Sequence, residues 1–543
     1  MNLRPDAAAA RCREAVGRLE SERAVSRIWD CDASLWKAEA VARKAIEGAL
    51  GWLTIPDRIE PELPELEAFV EEARRDAEGV VVLGMGGSSL APYVFGRTFG
   101  SAPGFPQLEV LDSTEPSAVA GCAARHDPRR TIFIVSSKSG TTLEPNIFFD
   151  YFYDRAVREL GDKAGGRFVV ITDPGSPLEK EAAARRVRRI FPGDREIGGR
   201  YSALSHFGLV PAAFLGLPIR ELVARARRMA EACRGAAGEN PGALLGAALG
   251  AEALAGHDKL TFSIGEPAGR FGMWLEQLIA ESTGKEGKGI LPVEGEPLGP
   301  PAVYGADRFF VRCEISGWED AAAASRLEAL AEHGHPIAEL RLEDTLDLGA
   351  EIFRWEFATA VAGRLLGINP FDQPNVQEAK DRTHAILAGE SSRKAQARAE
   401  LDEAALSRLL ASIEPGDYFA ITAYLAETPE TEAALQQIRL KVRDGKRVAT
   451  TVGFGPRFLH STGQLHKGGP ADGVFLQITC EPAASVPIPG RAWSFGDVVA
   501  AQAAGDLAAL QARGRRAARV HLPRDVTRGL QELALAVGRA LPA

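Results

Sequence analysis

From Gly79 onward the chain repeats one pattern, a short apolar run followed by enough chain for a helix. GVVVL at Gly79, LEVLD at Leu108, TIFIVSS at Thr131 and RFVVITD at Arg167 succeed one another in this way. Strands that are apolar at nearly every position, not at alternate ones, are covered on both faces, which is the condition of a parallel sheet flanked by helices. A second series follows an alanine-rich helical stretch around Leu222 to Gly256. It comprises KLTFSI at Lys259, RFFVRCEI at Arg308, PIAELRL at Pro336, DYFAITAYL at Asp417, RVATTVGF at Arg447, GVFLQITC at Gly473 and ARVHL at Ala518. At 543 residues the chain exceeds what one hydrophobic core supports. The expected fold class is therefore α/β, with two doubly wound αβα sandwiches built on parallel sheets. The boundaries are a helical segment over 1–74, a first unit over 75–235 and a second over 236–543. Glycine and proline gather at strand ends and not in one linker, so the units are expected to pack tightly.

Charge narrows the function classes. A net charge of -9 argues against a nucleic-acid surface as the main business. No apolar run approaches the roughly 20 residues of a membrane helix, and the opening MNLRPDAAAARCREAVGRLE reads as a charged amphipathic helix and not as a signal peptide. A cytoplasmic location is expected. The six cysteines are scattered, with no CxxC pair, as reduced thiols are, and no structural metal is expected.

In open parallel sheets ligands sit beyond the carboxyl ends of the strands, where loops run into helix N-termini that attract anions. The first such loop is LGMGGSSLAP, in which Gly84, Gly86 and Gly87 permit close backbone approach and Ser88 and Ser89 offer hydroxyls. A dinucleotide site is one reading, with Asp112 as the ribose-binding acid, but Ser89 stands at the third glycine position and breaks the motif. The second loop, SSKSGTTLEPN, carries Ser137, Lys138, Ser139, Thr141 and Thr142 into a helix expected to begin near Thr142. That set of hydroxyls and one ammonium suits a phosphate dianion.

GMGGSSLAP and SSKSGTTLEP resemble the two sugar-phosphate loops of the glucose-6-phosphate isomerases, a family of the sugar isomerase (SIS) superfamily. IGGRYSALSHFGL at Ile197 resembles the family's arginine loop, EQLIAESTGKEGKG its glutamate segment, and GINPFDQPNVQEAK the signature ahead of its lysine. The resemblance implies SIS-type domains and an aldose–ketose isomerase that interconverts glucose 6-phosphate and fructose 6-phosphate. Glu281 would be the base that shuttles a proton between C1 and C2, Arg200 would stabilise the enediolate, and Lys380 would assist ring opening or bind substrate, with Gln373 nearby. Ser137, Lys138, Ser139 and Thr142 would surround the phosphate, while Gly87 and Ser88 would contact it or the sugar. Pro145 departs from the usual pattern, standing where the loop supplies another threonine. Such chemistry needs one base and polar groups where enediolate charge develops, and neither a metal nor a redox cofactor.

The family's ring-opening histidine lies between its glutamate and its lysine. Here that interval holds only His333 and His335, in AEHGHPIAEL, which is unlike the histidine segment. HSTGQLHKGG, starting at His460, matches the segment but comes after Lys380. This order resembles the isomerase half of the bifunctional transaldolase/glucose-6-phosphate isomerases, which implies an association with, or fusion to, transaldolase; the wider family implies a homodimer. His460 is the expected ring-opening acid, with His206 and His384 as rivals. A sugar-phosphate sensor that keeps the fold without catalysis is the alternative; it would not need Glu281, Arg200 or Lys380.

Overall fold

A computed structural model of the chain describes residues 1–375, 381–383, 385–387, 389, 402–482 and 485–541. The segment expected to be purely helical opens instead on a short strand, β1 (Asn2–Arg4), before the Asp6–Ser21 helix. The first apolar series forms β2 (Gly79–Leu83), β3 (Gln107–Leu111), β4 (Thr131–Ser136), β5 (Phe168–Thr172) and β6 (Arg189–Pro192). These pair in parallel in the order β3-β2-β4-β5-β6. Every residue of β2, β4 and β5 is buried, as their unbroken apolar runs require, whereas the edge strand β3 is only partly covered.

The second series divides into two sheets. The strands β7 (Lys259–Ile264), β8 (Leu291–Val293), β9 (Arg308–Ile315) and β10 (Ile337–Leu342) form one, in the order β1-β10-β9-β7-β8. Its edge is completed by β1, antiparallel to β10. The strands β11 (Tyr418–Tyr424), β12 (Ala449–Phe454), β13 (Gly473–Cys480) and β14 (Arg516–Leu522) form another, all parallel, in the order β12-β11-β13-β14. The span 236–543, expected to be one unit, thus contains two parallel sheets.

Side-chain packing joins the first two sheets and sets the third apart. Val80 and Val82 of β2, Leu260 and Phe262 of β7, and Phe353 and Phe357 of the Leu348–Leu366 helix share one continuous core. The third sheet has its own, built from Phe419, Ile421, Leu476, Ile438 and Leu533. A smaller cluster of Ala280, Leu291, Val293, Tyr418, Leu465 and Phe475 joins the second sheet to the third.

The chain leaves β2 toward β3 on one side and returns to β4 on the other. That reversal opens a crevice beyond the carboxyl ends of β2 and β4, where doubly wound folds receive ligands. The loops 84–89 and 137–142 border it.

Candidate active site

Beyond β4, Ser137 is almost wholly buried, and its hydroxyl has no hydrogen-bond partner among the described residues. The Ser139 and Thr141 hydroxyls lie 2.9 Å apart. Thr142 is the N-cap of the Leu143–Leu160 helix, yet its side chain makes no capping bond, so its hydroxyl is not spent on the helix end. These groups and the helix N-terminus leave hydrogen-bonding capacity on the crevice. Lys138 is committed differently: its ammonium donates to Asp173 Oδ2 at 2.6 Å and to the Asp194 carbonyl at 2.8 Å.

The glycine loop after β2 is drawn tight against the arginine loop. A Cβ on Gly87 would lie 2.0 Å from the Gly199 carbonyl oxygen. Neighbouring Gly86, at φ +54°, packs against Gln277 and the backbone of His460. Gly87 therefore acts first as a point of backbone contact that seats Arg200, and Ser88 stands beside it, buried in the turn Gly86–Ser88. We expect Gly87→Ala to cost about 1–3 kcal/mol of stability, the usual penalty of overpacking, and to lower turnover by shifting the Arg200 loop. Thermal unfolding and a rate assay check this, and an unchanged protein would contradict the close packing.

Arg200, 2% exposed, uses all three of its guanidinium nitrogens. Its Nε donates to Ser282 Oγ at 2.7 Å, Nη1 to Gln373 Oε1 at 2.9 Å, and Nη2 to the carbonyls of Pro370 and Asp372 at 2.7 and 3.1 Å. Nη1 also lies 3.3 Å from Glu281 Oε1. Glu281 ends the Phe271–Thr283 helix on the face of Gln277, one turn earlier, whose Nε2 donates to Glu281 Oε2 at 3.0 Å. A carboxylate with one oxygen toward a guanidinium and the other toward an amide is fixed in place.

His460 reaches this centre from the third sheet. It closes the turn Arg457–His460 after β12, and its carbonyl accepts from the same Gln277 Nε2 at 2.8 Å. Ser461 Oγ donates to Glu276 Oε1 at 3.0 Å. Burial and the nearby Glu294 push the Glu276 carboxyl up to about 8, so it retains its proton at neutral pH. Arg457 grips Asp112 with two bonds of 2.8 and 2.7 Å and so pins the turn to the first sheet. Asp112 is thereby occupied and not poised for a ribose. The His460 Nε2 lies 3.2 Å from Glu144 Oε1, a carboxylate on the first turn of the Leu143–Leu160 helix.

The other histidines are engaged elsewhere. His206 Nδ1 faces the Pro192 carbonyl at 2.8 Å and its Nε2 faces Glu62 at 3.3 Å. His466 is packed between Tyr418 and Phe475, and burial with Lys467 and Arg515 nearby keeps it neutral. His335 is likewise buried and held at about 4, and His333 bonds its own helix. Lys380 and His384 lie outside the described residues.

Glu144, Gln277, Lys285 and Gln464 were not singled out in the sequence. Lys285 donates to Asp372 Oδ1 at 2.7 Å, and burial beside Arg200 lowers its ammonium to about 8. Gln464, fully buried, donates to the Gly284 carbonyl and accepts from the Asn375 amide, both at 2.8 Å. It ties the glutamate helix, the 369–375 segment and the histidine segment together. The signal for Gln277 and Glu144 was helical phase: each lies on the face, or in the first turn, of a helix whose function had been read from another residue.

A buried carboxylate between a guanidinium and an amide, at the ends of parallel sheets and beside a hydroxyl-rich loop, makes this crevice the candidate active site of an enzyme. Residues 67–290 match the family model described as phosphoglucose isomerase. The chain is 30% identical over 403 residues to a glucose-6-phosphate isomerase of Rubrobacter xylanophilus, an alignment covering 65% of this chain and 92% of the relative. It is 31% identical over 409 residues to that of Symbiobacterium thermophilum, covering 66% and 90%. A hypothetical protein from Thermus thermophilus has a similar structure, with a TM-score of 0.58 and 26% identity over 69% of this chain and 97% of that one. A glucose-6-phosphate isomerase of Chlamydia trachomatis shares the fold, with a TM-score of 0.54 and 18% identity over 71% and 88% of the two chains. The chain belongs to the phosphoglucose isomerase family.

Proposed function

We propose that the chain interconverts glucose 6-phosphate and fructose 6-phosphate through an enediolate, the step that joins the two sugar phosphates in glycolysis and gluconeogenesis. Family membership supports the reaction, and the Arg200–Glu281 pair is the observation that carries it for these residues. In the forward direction Glu281 takes the C2 proton of the open-chain aldose and returns it to C1. The O2 proton moves to O1 over the same step, so the net change is an isomerisation. Arg200 stabilises the oxygen on which negative charge gathers, with Nη1 turning toward it from its place beside Glu281. Ser137, Ser139 and Thr142, with the helix N-terminus behind them, hold the phosphate. Lys138 tightens that grip only by giving up Asp173, and Gln373 keeps the guanidinium turned toward the sugar. Lys380 retains the role implied by the resemblance.

His460, oriented by Glu144, opens the pyranose ring by moving a proton between the anomeric hydroxyl and the ring oxygen. Its replacement by asparagine is expected to slow the cyclic phase of turnover by about a hundredfold. The open-chain fraction of pre-equilibrated fructose 6-phosphate should still be consumed in an initial burst at nearly the usual rate. Equal loss in both phases, measured by rapid mixing, would count against the assignment.

A sensor of the same fold needs phosphate loops but no buried carboxylate aimed at a guanidinium, and the family relatives favour the enzyme. Among the described residues no helix is long and apolar enough to cross a membrane. Six cysteines without a disulfide accord with a reducing cytoplasm, where the reading places the enzyme. A homodimer and an association with transaldolase belong to the same reading and rest on the resemblance.

A further inference from the structure

The oxygen of Glu144 that faces His460 is held from a second side. Gln502, on the Phe495–Ala512 helix, donates its Nε2 to Glu144 Oε1 at 2.6 Å. The opposite end of that amide accepts from Thr114 Oγ1 at 2.7 Å, which holds the amide in place, while the acceptor carboxylate of Glu144 sets which way round it sits. Glu144, Gln502 and Thr114 are 4%, 3% and 0% exposed. In such surroundings hydrogen bonds to a carboxylate are strong and their loss is costly.

We propose that Gln502 is a positioning residue for ring opening: by donating to the oxygen that Glu144 turns toward His460, it sets how strongly that carboxylate holds the imidazole. The inference rests on the reading of His460 as the ring-opening group. It assigns a second task to the part of the chain that carries the third sheet, which would supply both the histidine and the donor that tempers the histidine's partner.

The physical consequence has a sign. A neutral N–H donor on Glu144 Oε1 takes up part of the carboxylate charge on the oxygen that faces His460. Removing it leaves more of that oxygen's charge to His460, which favours the imidazolium, so the histidine should release its proton at higher pH. Among the described residues the other charged groups around this turn have partners of their own: Glu281 faces Arg200 and Gln277, and Glu276 accepts from Ser461. Asp506 is held by Lys467 at 2.7 Å, and Arg457 by Asp112. The Tyr424 hydroxyl, kept protonated by burial and by the Asp506 charge, lies 3.5 Å from the Gln502 backbone carbonyl.

The test is the pH dependence of kcat/KM for cyclic glucose 6-phosphate in wild type, H460N, Q502L and T114V, using the full chain. The limb that vanishes in H460N belongs to His460. It is expected to move up by about half a pH unit or more in Q502L, and by less in T114V, where the amide remains but is free to turn. The burst from open-chain fructose 6-phosphate should keep its wild-type pH profile in both variants. A fall in rate with an unmoved limb would mean that Gln502 only supports the fold, and the proposal fails. If Q502L does not fold, T114V decides by the same criterion. Should wild type show no isomerisation, or H460N lose no limb, the reading of His460 fails instead, and the two failures are distinguished.

Discussion

Replacing Glu281 with glutamine is expected to lower turnover roughly a thousandfold, within the range that a positioned general base supplies, while changing the Michaelis constant little. The residue is 9% exposed and held at both carboxylate oxygens, 3.3 Å from Arg200 and 3.0 Å from Gln277. Glutamine has nearly the same shape, so the crevice and the phosphate loops should bind as before. On the proposed reading, what is lost is the basicity by which the carboxylate accepts a carbon-bound proton and hands it back. Arg200 then faces an amide, and substrate binds to a site that can polarise the sugar but cannot deprotonate it. A large loss in affinity with turnover preserved would place Glu281 among the binding groups.

Arg200→Met should damage both chemistry and fold. The guanidinium holds Ser282, Gln373 and the carbonyls of Pro370 and Asp372 as well as facing Glu281. Removing one partner of a buried pair typically costs about 3–5 kcal/mol, because the remaining charge is left without compensation. Loss of the group facing the enediolate oxygen should cost a further factor of about 100–1,000 in turnover. Lysine restores only part of this, since an ammonium is a point charge and cannot span four acceptors on a planar fork. Lys285 does not substitute: its ammonium is bound to Asp372, and burial has already lowered its tendency to carry charge. Denaturant unfolding and steady-state rates on Arg200→Met and Arg200→Lys separate the two contributions. Full stability in Arg200→Met would show that the segment 369–373 is held by something else.

The parallel strands were legible because burial on both faces leaves unbroken apolar runs, and β2, β4, β5 and β7 lie where those runs predicted. β6 and β8 were not, since edge strands are short and need no such run. The division of the later strands into two sheets was hidden for another reason. A sheet boundary is a matter of which strands pair, and the apolar pattern of β11 is the same whichever neighbour it takes. The hydroxyls and glycines of the loops after β2 and β4 stood out in the sequence by residue type, and the structure places those loops at the crevice. Glu144 and Gln502 were not, because a glutamate in a first helical turn and a glutamine in an alanine-rich helix are ordinary until the chain brings them within 2.6 Å. Lys138 illustrates the reverse: its type suited a phosphate, but Asp173, 35 residues later, sits against its ammonium.

The late position of HSTGQLHKGG is explained by contact and not by order. Gln277 and Gln464 carry bonds between the glutamate helix and the histidine segment. A loop from a third parallel sheet can fill the same place as a loop nearer in sequence, provided that its backbone is held there.

The most direct test of the account is isomerisation of fructose 6-phosphate in heavy water, followed by NMR of the glucose 6-phosphate formed. The account predicts that part of the product carries solvent deuterium at C2 with the wild-type chain, because the Glu281 carboxyl exchanges its proton with solvent in some turnovers before returning it, and neither product nor exchange above background with Glu281→Gln. Absence of product from the wild-type chain, or undiminished exchange in the variant, would contradict it.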